Sequence, residues 1–268
     1  MLGIFTDTFK YRDLIISMVQ RNIKKKYKRS AIGFIWSFLN PLIMMIIYTV
    51  VFTYIFIPGR GENFHIMLLS TLFPWMFFSK AIVGASQSLV NNHMLIHKVY
   101  VPKTVFPLTS VLTELMHYIF SLVPMALILL FTYLHSNGEF KLQWSMLYAL
   151  PLMACVFIFT MGVCLFVSVV SVYLRDLPYL IEVGIPMLFY GSPILWSYKW
   201  VADSSGKLSK YVQLNPLYHL FVVFQKSIFF NEAITIHELI TIISLSVLTF
   251  IFGLLTFALL KRKIPYLL

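Results

Sequence analysis

Four ionisable side chains fall inside stretches that otherwise suit hydrocarbon: Lys80, Glu114, His117 and Glu182. Charge in such a setting is costly, so each is a functional candidate by default. Glu114 and His117 stand three residues apart, close enough on one helix face to satisfy each other. Lys80 can snorkel toward an interface, and Glu182 lies one turn from Pro178, near Arg175. Structural pairing and function stay open at each. His93 and His97 have the i, i+4 spacing of a metal pair. No third ligand lies near them and no Glu takes the general-base position, so no metal site is expected. The sequence contains no G-x-x-x-x-G-K-[ST] loop, no H-E-x-x-H, no G-x-S-x-G and no cluster of aspartates. The expectation is a chain without catalytic residues or a cofactor of its own.

The elements that must position these groups are long and apolar. Hydrophobic residues make up 59% of the chain, charged ones 12%, and the mean hydropathy is +0.83. A soluble domain carries about 25% charged residues. Six apolar runs stand out, at 35–57, 66–85, 108–134, 146–172, 178–198 and 239–260. About 20 such residues at 1.5 Å rise cross a hydrocarbon core of about 30 Å. The period-two alternation of a membrane β-barrel is absent. An all-α membrane protein with six transmembrane helices is therefore expected. Residues 1–34 form an N-terminal cytoplasmic segment, 35–260 the membrane domain and 261–268 a basic tail.

The net charge of +11 raises nucleic acid as a partner, and its distribution argues against one. With the N-terminus inside, the inner segments carry 14 Lys/Arg and the outer segments six, with Lys80 within a run. This is the positive-inside bias, with both termini cytoplasmic. A signal peptide is not expected either, because "PGRGEN" follows the first run in place of a small-residue cleavage site. Cys155 and Cys164, nine residues apart, fall on opposite faces of one helix and are read as packing residues.

Several segments are not simple spans. Residues 11–29 read as an amphipathic helix with Ile16, Val19, Ile23 and Tyr27 on one stripe. Arg21, Lys24, Lys25, Lys28 and Arg29 lie largely elsewhere on it, each worth about 1 kcal/mol at an anionic leaflet. The helix is either a topology anchor alone or also a collector of an anionic, lipid-linked substrate. Pro41 interrupts the ladder of the first span. "NNHMLIHKVYVPKTVFPL" (91–108) is too short to cross and too apolar for a free loop, so a short helix at the cytoplasmic face is expected. Arg175 and Asp176 form a tight turn, as a salt bridge or as a contact for a cytoplasmic partner. "IEVGIPMLFYGSPILW" (181–196) holds two glycines and two prolines, the mark of a discontinuous helix. In "NPLYHLFVVFQKSIFF" (215–230), Asn215 suits an N-cap and Pro216 the first helical position. Its apolar part is too short to cross, so it dips into the outer leaflet or lies along it, as a gate or lid. Among the aromatics, Trp36, Tyr48, Phe52, Phe189, Tyr190 and Trp196 are candidates to line a passage, where flat faces stack on sugar rings. Lipid-belt and packing roles explain most aromatics equally well.

"RNIKKKYKRSAIGFIWSFLNPLIMMIIYTVVF" (21–52) resembles the opening of the type-2 ABC exporter permeases that move bacterial polysaccharides. "FPWMFFS" (73–79), "VYVPKTVFPL" (99–108), "RDLPYLIEVGIPMLFYGSPILW" (175–196) and "NPLYHL" (215–220) continue the resemblance in family order. It implies a homodimer in the inner membrane, working with two separate ATPase subunits that hold the ATP and Mg. The cargo it implies is a lipid-linked polymer bearing a pyrophosphate, of the O-antigen, capsule or teichoic-acid type, met first by the basic helix. Residues 91–98, with Asn92, His93, His97 and Lys98, match the family's coupling helix, and Arg175–Asp176 lies near the same ATPase face. The stretch 215–230, with Asn215, Pro216 and Tyr218, matches the outer gate helices. Glu114 sits where relatives tend to carry an acid. Lys80 and Glu182 match no family pattern. The competing reading is a proton- or ion-coupled secondary transporter with Glu114 and Glu182 as carriers, although the inverted repeat it would show is not visible.

Overall fold

Segments without access to water must close their own backbone hydrogen bonds, and long apolar runs do so most simply as helices. In the structure, a computed structural model, the described residues are 10–27, 33–52, 64–135, 144–203 and 207–267, and they contain helices and no strand. Lys28 and Arg29, the end of the first expected span (53–57) and the charged loop residues Arg60, Glu62, Glu139 and Lys141 lie outside them.

Among the described residues the first helices are α1 (Arg12–Tyr27), α2 (Trp36–Val50) and α3 (Phe64–Ser86). A short α4 (His93–Lys98) leads to α5 (Val105–His135), α6 (Ala149–Tyr173) and α7 (Leu177–Tyr190). Two short helices, α8 (Tyr198–Asp203) and α9 (Lys207–Gln213), precede α10 (Pro216–Phe224), which runs on as a π turn over Gln225–Phe229. The chain closes with α11 (Ile236–Leu260) and the single turn α12 (Ile264–Leu267). Among the described residues, four segments are long and apolar enough to cross a membrane: α3, α5, α6 with its leading turn, and α11 with the turns that follow it.

The expected span 178–198 is corrected. Its helix, α7, has 14 residues, about 21 Å at 1.5 Å rise, and stops at Tyr190. Pro193 and the two side chains Asn215 and Gln225 explain the stop. The chain from Gly191 to Ser197 is irregular, and its carbonyls find partners elsewhere. Asn215 donates to the Gly191 carbonyl at 3.0 Å, and Gln225 donates to those of Pro193 and Trp196 at 2.8 and 3.0 Å. Irregular backbone among apolar side chains persists where neighbours supply such bonds.

α3 is the central helix, and nearly every residue from Phe64 to Phe78 is buried. α5 and α11 keep broad apolar faces exposed (Leu127 and Phe131, Leu248 and Leu259), as a hydrocarbon environment allows. The most extensive packing joins α6 to α11. There Gly162 meets Gly253 backbone to backbone: a Cβ on Gly253 would collide with the Gly162 carbonyl oxygen. Small residues permit such close crossings between membrane helices.

One end of the bundle gathers α1, α4 and the C-termini of α6 and α11. The Tyr173 hydroxyl donates to the Leu260 carbonyl at 3.0 Å, and Lys103 Nζ donates to that of Lys261 at 2.9 Å, so two carbonyls at the end of α11 are satisfied. Burial, then the nearby Lys261 charge, holds the Lys103 ammonium below the usual lysine range. α1 lies across the start of α5. Ile15 and Met18 pack on the protein, whereas Ile16, first of the expected stripe, points outward. Val19 of that stripe packs partly against the protein core as well.

Candidate functional site

Two cavities share Lys80 and Glu114 in their linings, one opening between α1, α3 and α5 and the other between α2, α3 and α5. The larger, about 460 Å³, is lined by Arg21, Asn22 and Lys25 of α1, by Lys80 and Gly84 of α3, and by Ser110, Thr113 and Glu114 of α5. The turn after α3 adds Ser88, Asn91 and Asn92. The smaller, about 230 Å³, continues from Lys80 and Glu114 to His117 and is walled by Trp36, Phe73 and Phe77. α1 is fastened over this opening by two long hydrogen bonds. Arg21 donates to Asn92 Oδ1, and Asn22 donates to Thr113 Oγ1, each at 3.4 Å. The structure thus brings Arg21, Lys25, Lys80 and Glu114 around one space. Lys24 is exposed on α1, and Glu182 is exposed on α7.

α4 carries the short-helix expectation for 91–108. His93, His97 and Lys98 are exposed on it, beside Met94, which is 65% exposed. His93 Nδ1 lies 2.9 Å from the Val90 carbonyl. Asn92 turns inward, donating to the Ser88 carbonyl at 2.8 Å and accepting from Arg21. It therefore lines the cavity as well as opening the turn. Among the described residues no group of three or more His, Cys, Asp or Glu could hold a metal. Arg175 and Asp176 are exposed, and no ion pair joins them.

The aromatic candidates fall into two places and one outlier. Phe189 is buried between Tyr48 and Trp75, with ring centroids 5.5 Å from each, and Tyr190 packs edge-on at 5.3 Å. Phe52 joins through Tyr48 at 6.5 Å. This cluster ties the far half of α2 to the end of α7. Tyr190, 62% exposed, is the member that faces away from the protein. Trp196 instead stacks on Tyr218 at 6.3 Å, and its indole N–H donates to the Tyr190 carbonyl at 3.2 Å. Trp36 stands apart, at the smaller cavity.

At the opposite end, α10 enters the bundle capped as its sequence suggests. The Asn215 side chain accepts from the Leu217 amide at 3.0 Å, with Pro216 first in the helix. Phe221 and Phe224 are fully buried, and the π turn carries the chain back out. Two ion pairs clasp this hairpin: Lys226–Glu238 at 2.6 Å and Lys199–Glu232 at 2.9 Å. The Tyr198 hydroxyl also donates to Glu232, and the Lys199 ammonium sits 4.1 Å from the Phe230 ring centroid. Burial pushes the Glu232 carboxyl up, but the bonds from Tyr198 and Lys199 outweigh it and hold the group below the usual carboxylate range. Sequence reading passed over Gln225, Tyr198 and Glu232. A single signal was available, a glutamine inside the apolar run "VVFQKSIFF".

Helices of spanning length around a buried α3, with polar cavities sunk between them, define a multi-pass helical membrane protein. The chain belongs to the ABC-2 type transporter family, whose profile matches residues 13–229, from α1 through the π turn. It is 29% identical to the O-antigen export system permease protein RfbA of Myxococcus xanthus over 232 residues, 87% of this chain and 86% of the relative. Two relatives of the same name from Klebsiella pneumoniae match as well. One is 28% identical over 252 residues, covering 94% of this chain and 93% of the relative. The other is 30% identical over 206 residues, covering 76% of each.

Proposed function

We propose that this chain is the transmembrane permease subunit of an ATP-driven exporter that moves a lipid-linked polysaccharide across the bacterial cytoplasmic membrane. The observation that carries the reading is the likeness, over most of the chain, to three permeases named for O-antigen export within the ABC-2 family. A polymer of the capsule or teichoic-acid type is the same cargo class. The ion-coupled alternative gains nothing from membership in this family.

In this reading α2, α3, α5, α6, α7 and α11 are the six spans, and the α8–α10 hairpin completes the depth that α7 leaves uncrossed. The end bearing α1, α4 and Lys261–Lys263 faces the cytoplasm, as the positive-inside bias supports. Two copies form the conduit, and the exposed apolar residues of α2 (Ile43, Ile46 and Ile47) and α7 (Tyr179, Val183 and Met187) support a shared face. ATP and Mg belong to two separate ATPase subunits, docked on α4 and the Arg175–Asp176 turn. The basic residues Arg21, Lys24, Lys25, Lys28 and Arg29 collect the anionic end of the cargo, and Asn215, Pro216 and Tyr218 belong to the outer gate. Tyr190, with Trp36 and Trp196, offers flat faces to a sugar chain.

The test is reconstitution of the chain in vesicles with and without its ATPase, following outward movement of glycolipid. Movement that requires both the ATPase and ATP is expected. Movement without ATP that follows a proton gradient would overturn the reading.

A further inference from the structure

The chain between α7 and α11 is bonded to itself by neutral groups. Asn215 donates to the Gly191 carbonyl at 3.0 Å and to Ser192 Oγ at 3.2 Å. Gln225, fully buried, holds the Pro193 and Trp196 carbonyls and the Tyr198 amide. His219 Nε2 lies 2.9 Å from the Gln213 carbonyl, and Trp196 stacks on Tyr218. Pulling 191–199 away from 213–230 would orphan these buried groups, so the two stretches form one body. Its fastenings to the chain that follows are of another kind, because they are charged. Lys226 Nζ donates to Glu238 Oε1, on the first turn of α11, at 2.6 Å, and Lys199 pairs with Glu232 at 2.9 Å. The boundary falls at Asn231, among the described residues the one non-glycine with positive φ (53°), a backbone that asparagine adopts readily. There the Glu232 amide donates to the Lys226 carbonyl at 2.9 Å and the π turn ends. At its other limit the body meets α7 at Gly191, where that helix stops. Its contact with α3 runs through rings, Phe221 on Trp75 at 6.1 Å. Apolar contacts of that kind are non-directional, whereas a close ion pair has a single seat.

We propose that 191–199 and 213–230 swing as one cap between Gly191 and Asn231, and that Lys226–Glu238 is the latch that fastens the cap to α11. The two ion pairs are not equal. Lys199–Glu232 is about half exposed, where such pairs contribute little. Lys226 and Glu238 are only 17% and 24% exposed, and the Lys226 ammonium also faces the Tyr198 ring at 5.1 Å. Glu238 has a second task, since its Oε2 accepts from the Thr235 amide and hydroxyl in the capping box of α11. One carboxylate therefore starts α11 with one oxygen and holds the cap with the other. That the cap stands at the exit rests on the export reading; the latch rests on the contacts.

The experiment follows labelling by a water-soluble maleimide in the purified full chain in phosphatidylcholine nanodiscs, with no ATPase present. Ile194→Cys and Val223→Cys, made separately, probe the two halves of the cap at buried positions. The native Cys164, buried in α6, reports on the bundle in the same sample. Lys226→Met should speed labelling at both probes by the same factor, about tenfold, and leave Cys164 unchanged. Lys226→Arg should keep the parent rate. Glu238→Gln retains the capping box and loses the charge, so it should behave as Lys226→Met does. Unchanged labelling of both probes in Lys226→Met would overturn the latch. A rise at one probe alone would show that the cap is not one body, and an equal rise at Cys164 would show that the pair stabilises the whole fold instead. Labelling needs neither transport nor ATP, so its failure leaves the export reading standing, and a failure of export leaves the labelling result intact.

Discussion

Gln225 is a fully buried amide amid phenylalanines, and all its polar atoms are engaged. Its Nε2 donates to the carbonyls of Pro193 and Trp196, and its Oε1 accepts from the Tyr198 amide at 3.0 Å. A buried polar group left without a partner costs about 1–3 kcal/mol. Gln225→Leu orphans two carbonyls and one amide, so a loss of about 3 kcal/mol is expected, read as a clear drop in the unfolding temperature of the detergent-purified chain. An unchanged midpoint would mean that the 191–197 segment is held by packing alone. Sequence reading marked the glycines and prolines of this segment as a break in a helix. It did not find the side chain that makes the break tolerable, because that partner is about 30 residues away along the chain. Phe189 shows the reverse. Its type fits a passage wall, yet the fold places it between Tyr48 and Trp75.

At the scale of elements, helix length was readable wherever apolar residues run without interruption. The expected 66–85 and 108–134 correspond to Phe64–Ser86 and Val105–His135, because hydrocarbon thickness sets the length of such runs. The crossing of α6 and α11 was not readable, since Gly162 and Gly253 meet only in three dimensions. The Gly162 position leaves even less choice than overpacking usually does: its Cβ would sit 2.5 Å from the Thr249 carbonyl oxygen, a backbone atom with no rotamer to change. Overpacking typically costs about 1–3 kcal/mol, and Gly253→Ala should reach at least the upper part of that range by forcing α6 and α11 apart. Thermal unfolding in detergent, with the exposed Leu255→Ala as a control, measures it. Equal midpoints for the two variants would refute the close crossing.

At the scale of the whole molecule, the asymmetry of the two ends carries the functional argument. One end collects α1, α4 and the polar cavities, and the other is closed by the α8–α10 hairpin with its Lys226–Glu238 and Lys199–Glu232 clasps. If α4 is the ATPase contact, replacing His97 and Lys98 together by Ala should weaken ATPase binding by about tenfold, the scale of an interface anchor. Fold and glycolipid binding should be unaffected. Co-purification and the ATP used per glycolipid moved are the measurements, and preserved coupling would count against α4. The sequence by itself determined the class: membrane helices, the direction of the charge bias, the caps and the broken helix. All of these follow from local composition, because hydrocarbon imposes its demands on each segment separately. Only the tertiary structure decided that Lys80 and Glu114 share a cavity with Arg21, that α7 ends early against α10, and that α1 packs Ile15 and Met18 on the protein. Those outcomes depend on which faces of distant helices meet, and no periodicity within one helix specifies its neighbour.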